Sequence, residues 1–275
     1  MTTVLAYLPR KSVVHELTGA AKLTFFAFWT VGIMLTYDTR ILVGMLIFSL
    51  ITFAISKIKV KDIAFMLGFT LVFLLLNNLT IYIFAPEEGV SIYGSRHLIV
   101  ELIGRYSITQ EQLFYQLNVT LKYLASIPMA LLFISTTNPS EFAASLNRVG
   151  ISYKVGYSVA LALRYIPDIQ RDFHNISQSQ QARGIEMSRK ISVWQRLRNA
   201  SVIIFPLILS SLSRIDVITN AMELRGFGKH KTRTWYRGRA FGRSDYIAMT
   251  IGFIIMVVTL VVTFADGNRF YNPFA

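Results

Sequence analysis

From Ile63 to Phe84 the sequence carries no charged side chain. A bilayer's hydrocarbon core needs about 20 apolar helical residues to cross it, and this run is long enough. Lipid offers no hydrogen-bond partner to a backbone amide, so such a run must be helical, with its bonds satisfied within the segment. Four other apolar runs repeat the pattern: Leu23–Tyr37, Ile41–Ser56, Gln112–Thr137 and Tyr246–Phe264. The first two are short for a span, but flanking residues can extend them. The expected fold is therefore all-α: a polytopic membrane protein of about five transmembrane helices, with a helical module at the membrane surface. Composition agrees. Charged residues make up 16% of the 275 and hydrophobic ones 53%, whereas soluble domains carry roughly 25% charged residues.

Charge sets the orientation. Lys57, Lys59 and Lys61 follow the second run directly, which marks a cytoplasmic boundary. The loop 85–111 holds Glu87, Glu88, Glu101 and Glu111 against Arg96 and Arg105, so it reads as extracytoplasmic, with an amphipathic piece at His97–Leu102. The fourth run contains Lys122, which can snorkel or meet a polar group in the bundle, and Pro128, which can kink it. Seventeen of the 28 lysines and arginines lie between Asn138 and Asp245, against seven acidic residues. These features agree only if the N-terminus and residues 138–245 are cytoplasmic and the tail 265–275 is outside. Three regions follow: 1–137 with four spans, a cytoplasmic module 138–245, and 246–275 with the last span. No cleavable signal peptide is expected, because no apolar core precedes Leu23.

The module reads as helices. Asn138, Pro139 and Glu141 suit a helix start, Gly150 a stop, and Phe142, Leu146 and Val149 one apolar face. Ser152 opens a second, more apolar helix ending before Pro167. Val155–Ile166 and Ser201–Leu212 are apolar but only about 12 residues long, which fits core helices or re-entrant pieces better than spans. Asp168–Gln181 is strongly polar, with Ile169, Phe173 and Ile176 as its one apolar stripe. Such a helix needs a packed seam or a polar partner. It closes on Ala182-Arg183-Gly184. A further helix runs from about Arg196 past Ser213 and closes on Leu224-Arg225-Gly226. Two readings of these phrases stand side by side. A cation in a last turn complements the helix dipole, and glycine just beyond is ordinary capping. Alternatively, each arginine is a docking tip, since its planar fork matches carboxylates bidentately at any working pH.

These phrases resemble the paired arginine motifs of the transmembrane T component of energy-coupling factor (ECF) transporters. Asn138-Pro139-Ser140-Glu141 through Gly150, and Ala160-Leu161-Ala162-Leu163-Arg164-Tyr165-Ile166-Pro167, also resemble that family, as does His15-Glu16-Leu17 with Lys22-Leu23. Thr18-Gly19-Ala20 departs from the family's Asp-Pro-Arg-like phrase, and Leu224 stands where alanine is commoner. The resemblance implies a scaffold subunit of an ABC-type importer for a vitamin or metal ion, in a bacterial plasma membrane. It implies two cytosolic ATP-binding subunits, docked at Ala182, Arg183, Gly184, Leu224, Arg225 and Gly226, and one membrane S component that captures substrate. ATP and magnesium would belong to the ATP-binding partners, leaving no cofactor in this chain.

The alternative is a conventional ABC permease with its own substrate pathway. Glu141-Phe142-Ala143-Ala144 with Gly150 faintly resembles its coupling loop, but the long helical segment after Gly150 does not fit. Enzymatic chemistry finds no support. There is no HExxH, no phosphate loop and no carboxylate pair within a span. His15, His97, His174 and His230 lack metal spacing, and the absence of cysteine removes thiolate sites and disulfides. Asp168 and Asp172 lie near Arg164 and Arg171, as on a solvated or paired helix face. With no acidic residue within a span, a proton-coupled carrier is disfavoured too. The basic cluster Lys229, Lys231, Arg233, Arg237, Arg239 and Arg243, with Trp235 and Tyr236, precedes a span and fits anionic phospholipid rather than nucleic acid.

Overall fold

A computed structural model describes residues 10, 12–101, 106–186, 192–230, 234–235, 238–265 and 269–274. Leu102, Arg105, Lys231, Arg233, Tyr236 and Arg237, about which the sequence raised expectations, lie outside the described residues. The described residues are mainly helical: α1 (Val13–Glu16), α2 (Gly19–Leu35), α3 (Thr39–Ile55), α4 (Val60–Phe84), α5 (Glu88–Tyr93), α6 (Gln110–Thr136), α7 (Pro139–Arg148), α8 (Tyr153–Ala182), α9 (Val193–Leu224) and α10 (Arg243–Ala265). Where the amphipathic piece at His97–Leu102 was expected, β1 (Leu98–Glu101) pairs antiparallel with β2 (Ser107–Thr109). The β-branched Ile99, Val100, Ile108 and Thr109 suit a pleated ribbon better than a helical turn.

Four described helices are long and apolar enough to cross a membrane: Ile63–Phe84, Gln110–Thr136, Val193–Leu224 and Arg243–Ala265. Gly19–Leu35 and Thr39–Ile55 are shorter apolar helices. The protein is thus a multi-pass membrane protein. Ser201–Leu212 lies within one longer helix, as expected, but that helix, α9, runs unbroken for 32 residues and is itself long and apolar enough to cross a membrane, which the 12-residue run alone did not suggest.

The chain forms two compact units, residues 1–141 with 239–275, and residues 142–238. In the first unit Trp29, Ile33, Leu42, Met45, Ala125 and Met129 make a core shared by α2, α3 and α6. Phe25, Trp29 and Phe48 stack beside it. α10 lies close to α2, because a Cβ on Gly252 would stand 2.8 Å from the Phe25 ring. Lys122 does not snorkel: its Nζ donates to Met34 O at 2.8 Å and sits 3.7 Å over the Tyr37 ring. The C-terminal end of α2 is thereby capped, and Arg269 adds donors to Met34 O and Leu35 O. Between α2 and α3, burial works against the charge on Asp38, but the Arg40 guanidinium overrides it and holds the carboxyl below its ordinary range.

The N-terminal end of α2 is buried at Gly19, Ala20 and Ala21. Its orphan amides find partners inside the protein. Thr18 N donates to Asp245 Oδ1 at 2.7 Å, Gly19 N to Glu141 Oε1 at 2.8 Å, and Ala21 N to Thr18 Oγ1 at 3.4 Å. Carboxylates at this position also meet the positive end of the helix dipole. Asp245 accepts two more bonds, from Thr18 Oγ1 at 3.1 Å and Gly242 N at 2.8 Å, and is 3% exposed. Asp245→Asn would turn an NH2 toward one of these donors, leaving a buried group unsatisfied at a cost of about 2 kcal/mol. The expected outcome is a lower thermal midpoint for the detergent-solubilised protein. Thr18→Val, which removes one hydroxyl bond, should lower it less. An Asp245→Asn midpoint equal to wild type would contradict the assignment.

Candidate functional site: two arginine-capped helix ends

The second unit is built on α8 and α9. They run antiparallel. Tyr153 and Tyr157, at the start of α8, pack on Phe227, just beyond α9, with ring centroids 5.7 and 4.9 Å away. Farther along, Arg214 pairs with Asp172 and lies over the Tyr165 ring. At the far end Asn199 Nδ2 donates to Glu186 O at 2.7 Å. Both aspartates weighed as catalytic candidates are thus in ion pairs: Asp168 with Arg171, as expected for a helix face, and Asp172 with Arg214 of the other helix.

α8 does not stop before Pro167. It continues through that proline to Ala182. An internal proline costs roughly 3 kcal/mol, mainly from the lost bond and the clash with the preceding turn. Here Tyr165 and Ile169, on either side of it, both line the same groove along α9, so packing supports the helix across the proline. α7 also differs in detail. Asn138 Oδ1 accepts from Ser140 N at 3.0 Å, as a cap should. But the buried residues are Ala143, Ala144 and Ser145, not Phe142, Leu146 and Val149. The reason is backbone proximity: a Cβ on Gly156 of α8 would come 2.9 Å from Ala143 O, which leaves room only for small side chains. Trp235 packs against the same glycine and donates from Nε1 to Asn147 Oδ1 at 3.1 Å.

The two arginine phrases end their helices in the same way. Arg183 is the C-cap of α8, at φ −87° and ψ 8°. Arg225 is the C-cap of α9, at φ −85° and ψ 10°. Gly184 and Gly226 follow at φ 89° and 69°, a left-handed conformation that glycine adopts without strain. Gly184 N donates to Gln181 O at 2.9 Å and Ile185 N to Gln180 O at 3.1 Å; Gly226 N donates to Glu223 O at 2.8 Å and Phe227 N to Met222 O at 2.9 Å. Both are Schellman motifs, closed by the apolar residue after the glycine. The roles of Ile185 and Phe227 were missed in the sequence, although an apolar residue after the glycine is the known companion of this cap.

α7 ends in a third copy. Gly150 is at φ 101°, with bonds from Gly150 N to Asn147 O at 3.2 Å and Ile151 N to Leu146 O at 3.0 Å. There the C-cap residue is Val149. The backbone motif therefore does not demand arginine at the C-cap itself, and Arg148 in the last turn of α7 sets a cation near that helix end too, as the dipole favours. What distinguishes the α8 and α9 ends is the residue placed in the slot.

Placement matters as well. Because the helices are antiparallel, Arg183 and Arg225 stand at opposite ends of the pair. From Tyr157, which packs beside the Arg225 end, α8 runs roughly 40 Å to Arg183. Ala182, Arg183, Gly184, Leu224 and Arg225 are exposed, and Gly226 is partly buried. Leu224 is 90% exposed, an unusual setting for a leucine beside a structured cap. The whole pair is thinly packed. Tyr153, Gly156 and Ile203 are the buried residues of α8 and α9. Of the expected apolar stripe, Ile169 and Phe173 are 40% and 42% exposed, as is much of α9: Phe205 is 66% exposed, Leu212 52% and Ile215 55%. Keeping one such side chain out of water is worth roughly 1.5–3 kcal/mol, so this surface needs an apolar cover, either lipid or a partner. Among the described residues no cluster of three or more metal-ligating side chains occurs.

The chain is similar in sequence to known proteins. Residues 10–236 match the model of the family described as CbiQ, cobalt transport protein. An energy-coupling factor transporter transmembrane protein EcfT of Staphylococcus aureus (strain 04-02981) is 25% identical over 268 residues, which covers 94% of this chain and 96% of that protein. One of Bacillus selenitireducens is 26% identical over 269 residues, covering 95% and 97%. One of Streptococcus thermophilus is 27% identical over 253 residues, covering 88% and 91%. With two apolar-faced helices ending in matched arginine caps, and a family match that spans most of its length, the chain belongs to the CbiQ family of transport proteins and is a transmembrane component of the energy-coupling factor type.

Proposed function

We propose that this protein is the scaffold of an ECF-type importer in a bacterial plasma membrane, and that Arg183 and Arg225 are its two docking tips for a pair of cytosolic ATP-binding subunits. The observation that carries the reading is the identity of the two caps. The same side chain, at the same φ and ψ, is followed by the same left-handed glycine at both ends of an antiparallel pair. Two like tips roughly 40 Å of helix apart suit two copies, or two relatives, of one partner. In each, Arg presents a fork to acidic groups in a groove, with the glycine letting the partner approach: nothing lies within 4 Å of where a Cβ on Gly184 or Gly226 would be. Ala182 and Leu224 flank the arginines and shape each tip.

ATP and magnesium belong to those partners, where the hydrolysis takes place; this chain contributes no catalytic group. A small membrane S component, which binds the vitamin or metal ion, rests on the exposed apolar faces of α8 and α9. When nucleotide draws the two ATP-binding subunits together, the tips move relative to each other and the helix pair tilts the S component, a two-state element biased by nucleotide. Residues 138–245 and the N-terminus are cytoplasmic, supported by Lys57, Lys59 and Lys61 after α3; α9, although long and apolar enough to cross a membrane, then lies along its surface, which keeps both tips on one side. Lys229 and Arg243 suit phospholipid headgroups.

Charge reversal tests the tips. Arg183→Glu or Arg225→Glu should each weaken retention of the ATP-binding subunits by at least about 2 kcal/mol, roughly 30-fold. The double variant should insert normally but lose both copurification and uptake. Wild-type complex yield and transport in the double variant would contradict the proposal. Arg183→Lys should restore only part of the binding, because the bidentate geometry is lost; full activity with lysine at both sites would reduce the role to simple charge. Gly184→Ala keeps the arginine but forces alanine into a left-handed conformation costing about 1–2 kcal/mol. It should weaken copurification at that one tip, read against an unchanged Gly150→Ala.

A further inference from the structure

Within the first unit an apolar cavity of about 180 Å³ lies where four helices begin or end on one membrane face. Lys22 in the first turn of α2, Thr52 in the last turn of α3, Phe133 in the last turn of α6 and Ala248 in the second turn of α10 all line it. Phe25 and Phe48, both half-buried, complete the wall. An apolar cavity of roughly 150 Å³ already holds a benzene ring. This one therefore has room for a length of hydrocarbon chain, but not for a helix about 10–12 Å across. A second cavity, of about 280 Å³, shares Phe48 with the first and continues past Gly44 and Ile41 on α3 and Ile254 and Val258 on α10.

The two cavities follow one seam. α3 packs on α6 and α10 on α2, whereas α3 and α10 meet only slightly. From Thr52 to Ile41 the lining residues of α3 cover roughly 16 Å of helix. That is about half of a hydrocarbon core of roughly 30 Å, the depth of one leaflet. The polar end of the seam is Lys22, which is 5% exposed. Its ammonium donates to Thr136 O at 2.9 Å and His15 O at 3.4 Å. Among the described residues it makes no ion pair, since Asp245 is turned to Thr18 and Glu141 to Gly19 and Arg239. An ammonium has three N–H donors, so one is left for an ester or phosphate oxygen. On the same membrane face stand two exposed cations, Lys57 just past α3 and Arg243 at the start of α10.

We propose that this seam is a binding site for one anionic phospholipid. One acyl chain lies along it, from Phe133 past Phe48 to Val258. The head group meets Lys57 and Arg243, and a phosphate or ester oxygen accepts from Lys22. The wall decides the occupant. Membrane helices pack closely through small residues, and Phe25, Phe48, Phe133, Ile254 and Val258 would hold a partner helix away. A flexible chain passes between them and covers apolar surface that α3 and α10 leave open to each other. Charge decides the head group, because each lysine or arginine near the surface favours an anionic lipid about fivefold. The site is independent of the docking reading. The orientation proposed above enters only in naming the leaflet as the cytoplasmic one.

Native mass spectrometry tests it on the full chain, delipidated in mild detergent and then exposed to equimolar phosphatidylglycerol and phosphatidylcholine. The wild-type chain should show one discrete phosphatidylglycerol adduct that outlasts all others as collision energy rises. Gly44→Leu is the blocking variant. Nothing in the protein lies within 4 Å of where a Cβ on Gly44 would be, so leucine fits the fold but fills the seam. It should lower occupancy of the adduct at least about tenfold, the loss expected if the chain cannot enter, with no fall in the thermal midpoint. Ala248→Phe, which fills the first cavity, is the second blocking variant and should do the same. Lys57→Gln with Arg243→Gln should keep one bound lipid but lose the preference for phosphatidylglycerol by roughly 20-fold, about fivefold for each charge. A wild-type adduct that survives both Gly44→Leu and Ala248→Phe unchanged would overturn the site. Equal binding of the two lipids by the wild-type chain would overturn the head-group assignment. A free fatty acid, or a second copy of the chain, in place of the phospholipid would overturn the occupant.

Discussion

The first turn of α2 is buried, so its orphan amides have no water to fall back on. In a membrane protein that constraint is severe, because an unpaired buried amide costs kilocalories. The protein meets it with Thr18, Glu141 and Asp245, residues from three distant parts of the chain. One backbone requirement therefore draws the start of α2, Glu141 and the start of α10 to a single place. The core of Trp29, Ile33, Leu42 and Met129 then packs behind a helix whose end is already held.

The second unit solves the same problem at the opposite kind of terminus. Its helices end in left-handed glycines that return amides to the last carbonyls, and so need no outside donor. A self-sufficient cap can stand exposed. With the backbone already satisfied, a cap of this kind places no demand on the side chain at the C-cap, which is compatible with the docking role proposed for Arg183 and Arg225. The α7 end has the same cap with Val149 in the slot and Arg148 one residue earlier, so the backbone motif alone does not select the residue at the C-cap. The α8–α9 pair buries little of itself and leaves apolar faces exposed between its charged ends.

Much of this was legible in sequence because it is local. Charge-free runs announced the membrane helices, and Asn138, Pro139 and Gly150 marked α7. The phrases ending at Gly184 and Gly226 marked the caps, since a left-handed residue after a helix selects glycine by itself. What escaped was set by distant packing. Pro167 looks like a helix stop, yet α9 supports α8 on both sides of it. The buried face of α7 follows Ala143 and Ala144 instead of its larger residues, because Gly156 brings a backbone close. The Asp172–Arg214 pair joins residues 42 apart in sequence and the Glu141–Arg239 pair residues 98 apart, distances at which one sequence offers no register. Arg239 consequently read as one more surface cation.

The central claim is that the arginine-bearing ends, and not helix ends in general, meet the ATP-binding subunits. A photo-crosslinking amino acid placed in turn at Ala182, Leu224 and Val149, in a chain with no cysteine to confuse the chemistry, compares three helix ends of one backbone type. The account predicts cross-links to ATP-binding subunits from positions 182 and 224 and none from 149. Equal cross-linking from all three, or none from 182 and 224 in an intact complex, would contradict it.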